Sequence, residues 1–216
     1  MSELNYELMR SAMVSNQLRT TAVNDPRVVE AMRAIPRERH VPAASAPLAY
    51  LDRAIALGEG RALNPPMATG RLLTEAHPLP ADRALVVGAA TGYAAALLAE
   101  LVASVTALEE DAALLAIARA ANSSPRISYV DGPLAKGWKK GAPYDLILID
   151  GAVEHVPQAI IDQLAPDGRL ATAILDRGVT RLCVGRRAGT AFGLNAFADA
   201  EAVVLPGFAK PRGFVF

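Results

Sequence analysis

From Ala84 onward, short β-type runs alternate with alanine- and leucine-rich stretches of helical character, and this alternation restricts the possible folds most. Parallel strands cannot be joined by a tight turn. They need a long crossover, usually a helix, and the sheet that results is covered on both faces. The expected strands are Ala84 to Gly88, Ser104 to Glu109, Ile127 to Val130, Asp145 to Asp150 and Arg169 to Ile174. The expected helices between them are Tyr93 to Ala103, Asp111 to Ala121 and Pro157 to Leu164. Strand, helix and strand in repetition predict an α/β fold around a parallel sheet.

The alternation ends after Asp176. Thr180 to Arg187 and Ala191 to Phe197 are strand-like and are joined through Ala188-Gly189-Thr190, which leaves no room for a helix. An antiparallel hairpin at the sheet edge follows. Leu205 to Phe208 and Gly213 to Phe216 read as a final strand with aromatic packing. Ahead of the sheet, residues 1–78 form a helical leader broken by prolines, with residues 79–216 as the sheet region of one domain. In the leader, Asp25 is placed to cap a helix that has Pro26 at its first position. Val28, Val29, Met32 and Ile35 then share a face before Pro36 stops it.

Composition narrows function mainly by exclusion. A chain of 216 residues, 52% hydrophobic, is long enough for one domain with a sizeable core. Lys plus Arg and Asp plus Glu each total 22, so the net charge is zero and no basic footprint for nucleic acid is present. Cys183 is the single cysteine and lies in an apolar run, which fits a reducing cytoplasm and gives no thiol cluster for a metal. Met1 to Asn5 lacks a signal-peptide pattern, and the apolar stretch Ala94 to Ala103 is interrupted by Glu100 and too short to span a bilayer. Neither export nor membrane attachment is expected.

The chemistry is expected where strands end. Ala84 to Val87 runs directly into Gly88-Ala89-Ala90-Thr91-Gly92-Tyr93, after which a helix begins. Small residues let the backbone turn sharply and approach a ligand, and the helix N-terminus offers free N–H groups. An ordinary tight strand-to-helix turn explains the same residues. The dinucleotide fingerprint Gly-x-Gly-x-x-Gly is missing, which weakens a nicotinamide-dependent oxidoreductase reading. Glu109 ends the second strand, where a carboxylate can accept from both hydroxyls of a ribose, and Glu110 and Asp111 are left to start the next helix. Asp131 and Gly132 end the third strand, where Asp131 can accept from an exocyclic amine or simply form an Asp-Gly turn. Asp150 ends the fourth at the same edge, facing the switch-point crevice.

Together with Asn16 to Pro42, Gly58-Glu59-Gly60, Pro143-Tyr144-Asp145 and Gln163-Leu164, these segments resemble the protein-L-isoaspartate O-methyltransferase family. The resemblance runs in order from about residue 11 to about residue 174. It implies a class I methyltransferase fold, Rossmann-like, with a seven-stranded and mainly parallel sheet. It also implies S-adenosyl-L-methionine held by Gly88, Ala90, Gly92, Glu109 and Asp131. Beside these, Tyr93, Gly132 and Asp150 are expected to line the cofactor pocket from their places next to the loop and at the strand ends, with Asp150 open to the substrate side as well. The implied activity is repair, by methylation of the α-carboxylate of L-isoaspartyl residues in aged proteins.

This sequence departs from the family at the substrate loop. Arg61-Ala62-Leu63-Asn64-Pro65-Pro66 stands where Gln-Thr-Ile-Ser-Gln-Pro is usual, and Val86 replaces an acid in the loop strand. Asn64 is the candidate for orienting a carboxylate through its amide N–H groups, or it merely precedes a Pro-Pro turn. Arg61 reads as a solvated side chain, with bidentate pairing to a carboxylate as the alternative. Acceptors therefore remain open between isoaspartyl peptides and a small molecule, and a catalytically idle cofactor-binding regulator is a further reading. Three more side chains have both a bland and a sharp reading: Glu154 and His155 as a surface pair or an acid–base pair, and Trp138 as a loop anchor or a cover for adenine.

Overall fold

A computed structural model describes residues 4–210. Met1 to Glu3 and the expected terminal run Gly213 to Phe216 lie outside the described residues.

The leader supplies α1 (Tyr6–Met13), a single π turn (Val14–Leu18) and α2 (Pro26–Ala34). As expected, α2 starts at Pro26 with the Asp25 carboxylate accepting from the Arg27 N–H at 2.8 Å. It stops at Ala34 because Ile35, which precedes Pro36, is forced into an extended conformation. Two short strands that sequence patterning does not reveal follow, β1 (Ile55–Gly58) and β2 (Arg61–Leu63), paired as a hairpin of their own. Next comes α3 (Pro66–Ala76), opened by Pro66 and ended at His77 in the left-handed region.

The sheet region comprises β3 (Arg83–Val87), α4 (Tyr93–Ala99), β4 (Ser104–Glu109), α5 (Ala112–Ala121) and β5 (Ile127–Asp131). It continues with β6 (Tyr144–Val153), α6 (Gln158–Ile161), β7 (Leu164–Asp176), β8 (Val179–Ala188) and β9 (Ala191–Asp199). Seven strands lie in the order β5-β4-β3-β6-β7-β8-β9. Those from β5 to β7 are mutually parallel, and β8 and β9 add an antiparallel edge.

Side chains alternate across the sheet as strand geometry requires. Ala84, Val86, Val105, Ala107, Leu146 and Leu148 face a core shared with α3, α4 and the leader. Leu85, Val87, Leu108, Ile147 and Ile149 face a second core closed by Leu134, Ile160, Leu205 and Phe208. Because the chain winds from β3 toward β5 in one direction and from β6 toward β7 in the other, the topological switch lies between β3 and β6.

Five elements differ from the sequence reading, the first being β6, which runs on to Val153 past the expected end at Asp150. α4 ends at Ala99 rather than at Ala103, while the N–H groups of Leu101 and Val102 still reach the Leu98 carbonyl at 2.9 and 3.0 Å. The expected helix Pro157 to Leu164 shrinks to α6, because Leu164 already pairs with Tyr144 in the sheet. The register then shifts over Pro166-Asp167-Gly168, with Asp167 at φ +63°, so β7 starts five residues before the expected Arg169. Finally, the Leu205 to Phe208 segment is not a full strand. Val204, just before it, makes one parallel bridge, to Ala152.

Candidate active site

The carboxyl ends of β3, β4 and β5 and the adjacent part of β6 bring the expected site residues to one edge. Gly88, Ala90 and Gly92 alternate through the left-handed region at φ +78°, +48° and +84°, which coils the loop into a narrow turn before α4. Gly88 and Gly92 are also places of close approach: an added Cβ would lie 2.9 Å from Leu205 Cδ1 at the first and 3.0 Å from Ala118 Cβ at the second. Tyr93, at the start of α4, is buried at 1% exposure with the His40 ring packed edge-on at 5.5 Å. His40 and Thr91 are fastened reciprocally, His40 Nδ1 to the Thr91 carbonyl at 2.7 Å and Thr91 Oγ1 to the His40 carbonyl at 2.6 Å. The leader thereby holds the loop.

Glu109 is fully buried and receives hydrogen bonds on both oxygens. Oε2 accepts from the Ala90 N–H at 2.7 Å, and Oε1 accepts from the N–H groups of Glu110 and Asp111 at 2.9 and 3.1 Å. The Arg61 guanidinium spans both oxygens, with Nη2 to Oε2 at 2.8 Å and Nη1 to Oε1 shorter still. The reading of Arg61 as a solvated side chain is corrected here: it is 7% exposed, because the β1–β2 turn aims it inward at an acid. Asp131 is the register partner of Glu109 and is exposed, while Gly132 beside it approaches the Trp138 ring, 3.4 Å from an added Cβ.

Asp150 lies 5% exposed on β6, and burial pushes its carboxyl above the ordinary aspartate range, against the pull of Asn64, Arg37 and Arg61. Asn64 Nδ2 donates to Asp150 Oδ1 at 2.9 Å, and Asn64 Oδ1 accepts from the Val203 N–H at 2.9 Å. Asn64 is thus a tie between the substrate loop, β6 and the C-terminal segment, not simply the residue before a proline turn. Arg37, buried beneath it, donates to the Asn64 and Ala49 carbonyls at 2.6 and 2.7 Å and lies 4.9 Å from the Tyr93 ring centre.

Residues 8–193 match the family model described as Protein-L-isoaspartate(D-aspartate) O-methyltransferase. The chain belongs to this family. It is similar to the protein-L-isoaspartate O-methyltransferase of Methylorubrum extorquens, 38% identical over 199 residues, covering 91% of this chain and 87% of that protein. The enzyme of the same name from Koribacter versatilis is 37% identical over 185 residues, 84% of this chain and 83% of its relative. Among solved structures, a Plasmodium falciparum structure named for this methyltransferase and bound to S-adenosyl-L-homocysteine superposes with TM-score 0.78 at 17% identity. It covers 94% of this chain and 99% of the other. A further protein-L-isoaspartate O-methyltransferase gives 0.79 at 19% identity, over 92% and 66% of the two chains. These likenesses carry the class I methyltransferase fold, Rossmann-like, that the loop and strand order anticipate.

Within this methyltransferase fold the expected Glu154–His155 pair separates. Glu154 accepts from the Lys210 N–H at 2.7 Å, and the His155 ring meets the Phe208 carbonyl at 3.1 Å, so both side chains fasten the C-terminal segment. Sequence reasoning did not find Arg37 and His40 as supports of the site, although Ile35 to Pro42 is among the segments that carry the family resemblance. Their burial was the missing signal, since an arginine and a histidine between prolines read as surface residues. Among the described residues, no helix is long and apolar enough to cross a membrane.

Proposed function

We propose that this chain is an S-adenosyl-L-methionine-dependent carboxyl O-methyltransferase acting on L-isoaspartyl residues of damaged proteins. The observation that carries the reading is the family match across residues 8–193, on a fold with the same strand-end chemistry. The site residues fit the donor. The alternating left-handed loop from Gly88 to Gly92 would take the amino-acid end, Glu109 the ribose hydroxyls, and Asp131 with Gly132 and the adjoining Trp138 ring the adenine. Tyr93 and Asp150 would wall the pocket on the α4 and β6 sides.

When bound, S-adenosyl-L-methionine supplies a methyl group on a positively charged sulfur, which an already ionised carboxylate displaces without a general base. The protein's contribution is therefore placement and exclusion of water. Asn64 is the candidate for placing the substrate carboxylate, because its Nδ2 has a second N–H beyond the one given to Asp150. In the methyl ester, the backbone amide nitrogen of the following peptide bond attacks the ester carbonyl and methanol leaves, closing the succinimide without further help from the protein. The cytoplasm is the proposed setting, given the lone buried Cys183.

A second reading keeps the donor and changes the acceptor, because Ala62 and Asn64 remove the hydroxyls usual in the family's loop. One assay separates the two: transfer of labelled methyl to an isoaspartyl peptide and to its aspartyl twin, beside cofactor binding. Selective labelling of the isoaspartyl peptide is expected. Tight cofactor binding with neither peptide labelled would move the assignment to another acceptor or to an idle regulator.

A further inference from the structure

We propose that Arg61 is an internal ligand of the cofactor site. Its guanidinium holds the two Glu109 oxygens that the ribose hydroxyls would take, so β2 must release Glu109 before S-adenosyl-L-methionine is bound. The inference rests on the reading of Glu109 as the ribose acceptor.

Counting acceptor positions leads to it. A carboxylate offers about four lone-pair positions. The N–H groups of Ala90, Glu110 and Asp111 and the two Arg61 contacts already make five hydrogen bonds to Glu109. Both oxygens are therefore already fully engaged, and two hydroxyl donors can enter only in place of the two Arg61 contacts. A guanidinium fork and a vicinal diol are alike in the respect that matters, since each presents two donors spaced for the two oxygens of one carboxylate.

The rest of the arrangement allows exchange. Once Arg61 leaves, Glu109 keeps its three backbone donors, so its charge is not orphaned. Arg61 opens β2 directly after Gly58-Glu59-Gly60, a turn with φ of +105°, +49° and +72°. An added Cβ on either glycine meets nothing within 4 Å, and all three turn residues are exposed. Arg61 has the only side chain that this turn sends to Glu109, so an incoming ribose competes with one side chain on a short hairpin. The apparent affinity for the cofactor is then its intrinsic affinity reduced by the fraction of molecules with Arg61 released.

The test is calorimetric and stopped-flow binding of S-adenosyl-L-homocysteine to the full chain and to its Arg61→Gln and Arg61→Ala variants, with thermal melting as the check of folding. Both variants are expected to bind about tenfold more tightly, with the gain in the association rate, because the released state no longer has to be populated first. Unchanged or weaker binding by folded variants overturns the proposal. A 2′,3′-dideoxyribose analogue of the ligand keeps that failure apart from failure of the site reading. If removing the diol weakens binding to Arg61→Gln but that variant shows no gain, only the Arg61 proposal falls. If the diol makes no difference in any variant, the assignment of Glu109 falls and takes the proposal with it.

Discussion

Ala90 sits at φ +48°, a conformation that costs an L-residue with a side chain about 1 to 2 kcal/mol and costs glycine almost nothing. It is held there by the bond from its N–H to Glu109. Ala90→Gly removes that strain but frees more of the unfolded chain, so a net gain of about 0.5 to 1 kcal/mol is expected, read as a raised melting temperature. At this scale the sequence was informative about residue types. Gly88, Ala90, Gly92 and Glu109 do converge at one edge with Asp150, because the first four follow or close strands of the same parallel sheet and Asp150 lies near the end of the neighbouring β6. Arg61 and Asn64 were not legible in the same way. Whether an arginine is solvated or buried depends on what lies opposite it, and its partner here is 48 residues away in sequence.

Among elements, the C-terminal segment does the most work for its length. The Ala152 N–H donates to Val203 at 2.7 Å and the Leu205 N–H donates to Ala152 at 2.9 Å, which lays this stretch along the end of β6. Leu205 then covers both Gly88 and Gly151, and an added Cβ on Gly151 would lie 2.6 Å from its Cγ. Leu205→Ala would leave a cavity at the switch point and is expected to cost about 2 to 4 kcal/mol, measured by urea unfolding. The prediction of a final strand caught the apolar character of this segment but not its role, because one bridge over a glycine leaves no period to detect. The β1–β2 hairpin was missed for the same reason. Its strands have four and three residues, too few for alternation to stand out. By contrast, the β8–β9 hairpin was legible from Gly189, which turns at φ +61° between paired Ala188 and Ala191.

At the scale of the whole molecule, two buried titratable groups link stability to pH in opposite directions. Burial lowers the His40 pKa from 6.5, so as pH falls below that value the unfolded chain takes up a proton that the native ring refuses, and stability drops. Burial raises the Asp150 pKa from 3.8, so its cost is present in full above the native value and fades as pH falls toward 3.8. Asp150→Asn keeps an acceptor for Asn64 and removes that cost. The variant is expected to melt higher than the parent at pH 8, with the difference shrinking as pH is lowered toward 4. A constant difference across melts at several pH values would count against a buried, charged Asp150.

By itself the sequence determined the alternation of strands and helices, the antiparallel edge and the strand-end loop, because hydrophobic period, capping residues and small-residue turns act over a few neighbouring positions. Only the tertiary structure decided that Arg61 meets Glu109, that Asn64 bridges Asp150 and Val203, and that His40 clasps Thr91. Those contacts join residues from 48 to 139 positions apart. They depend on which surfaces the folded sheet brings together and on how little water is left between them, and neither is written in any local stretch of chain.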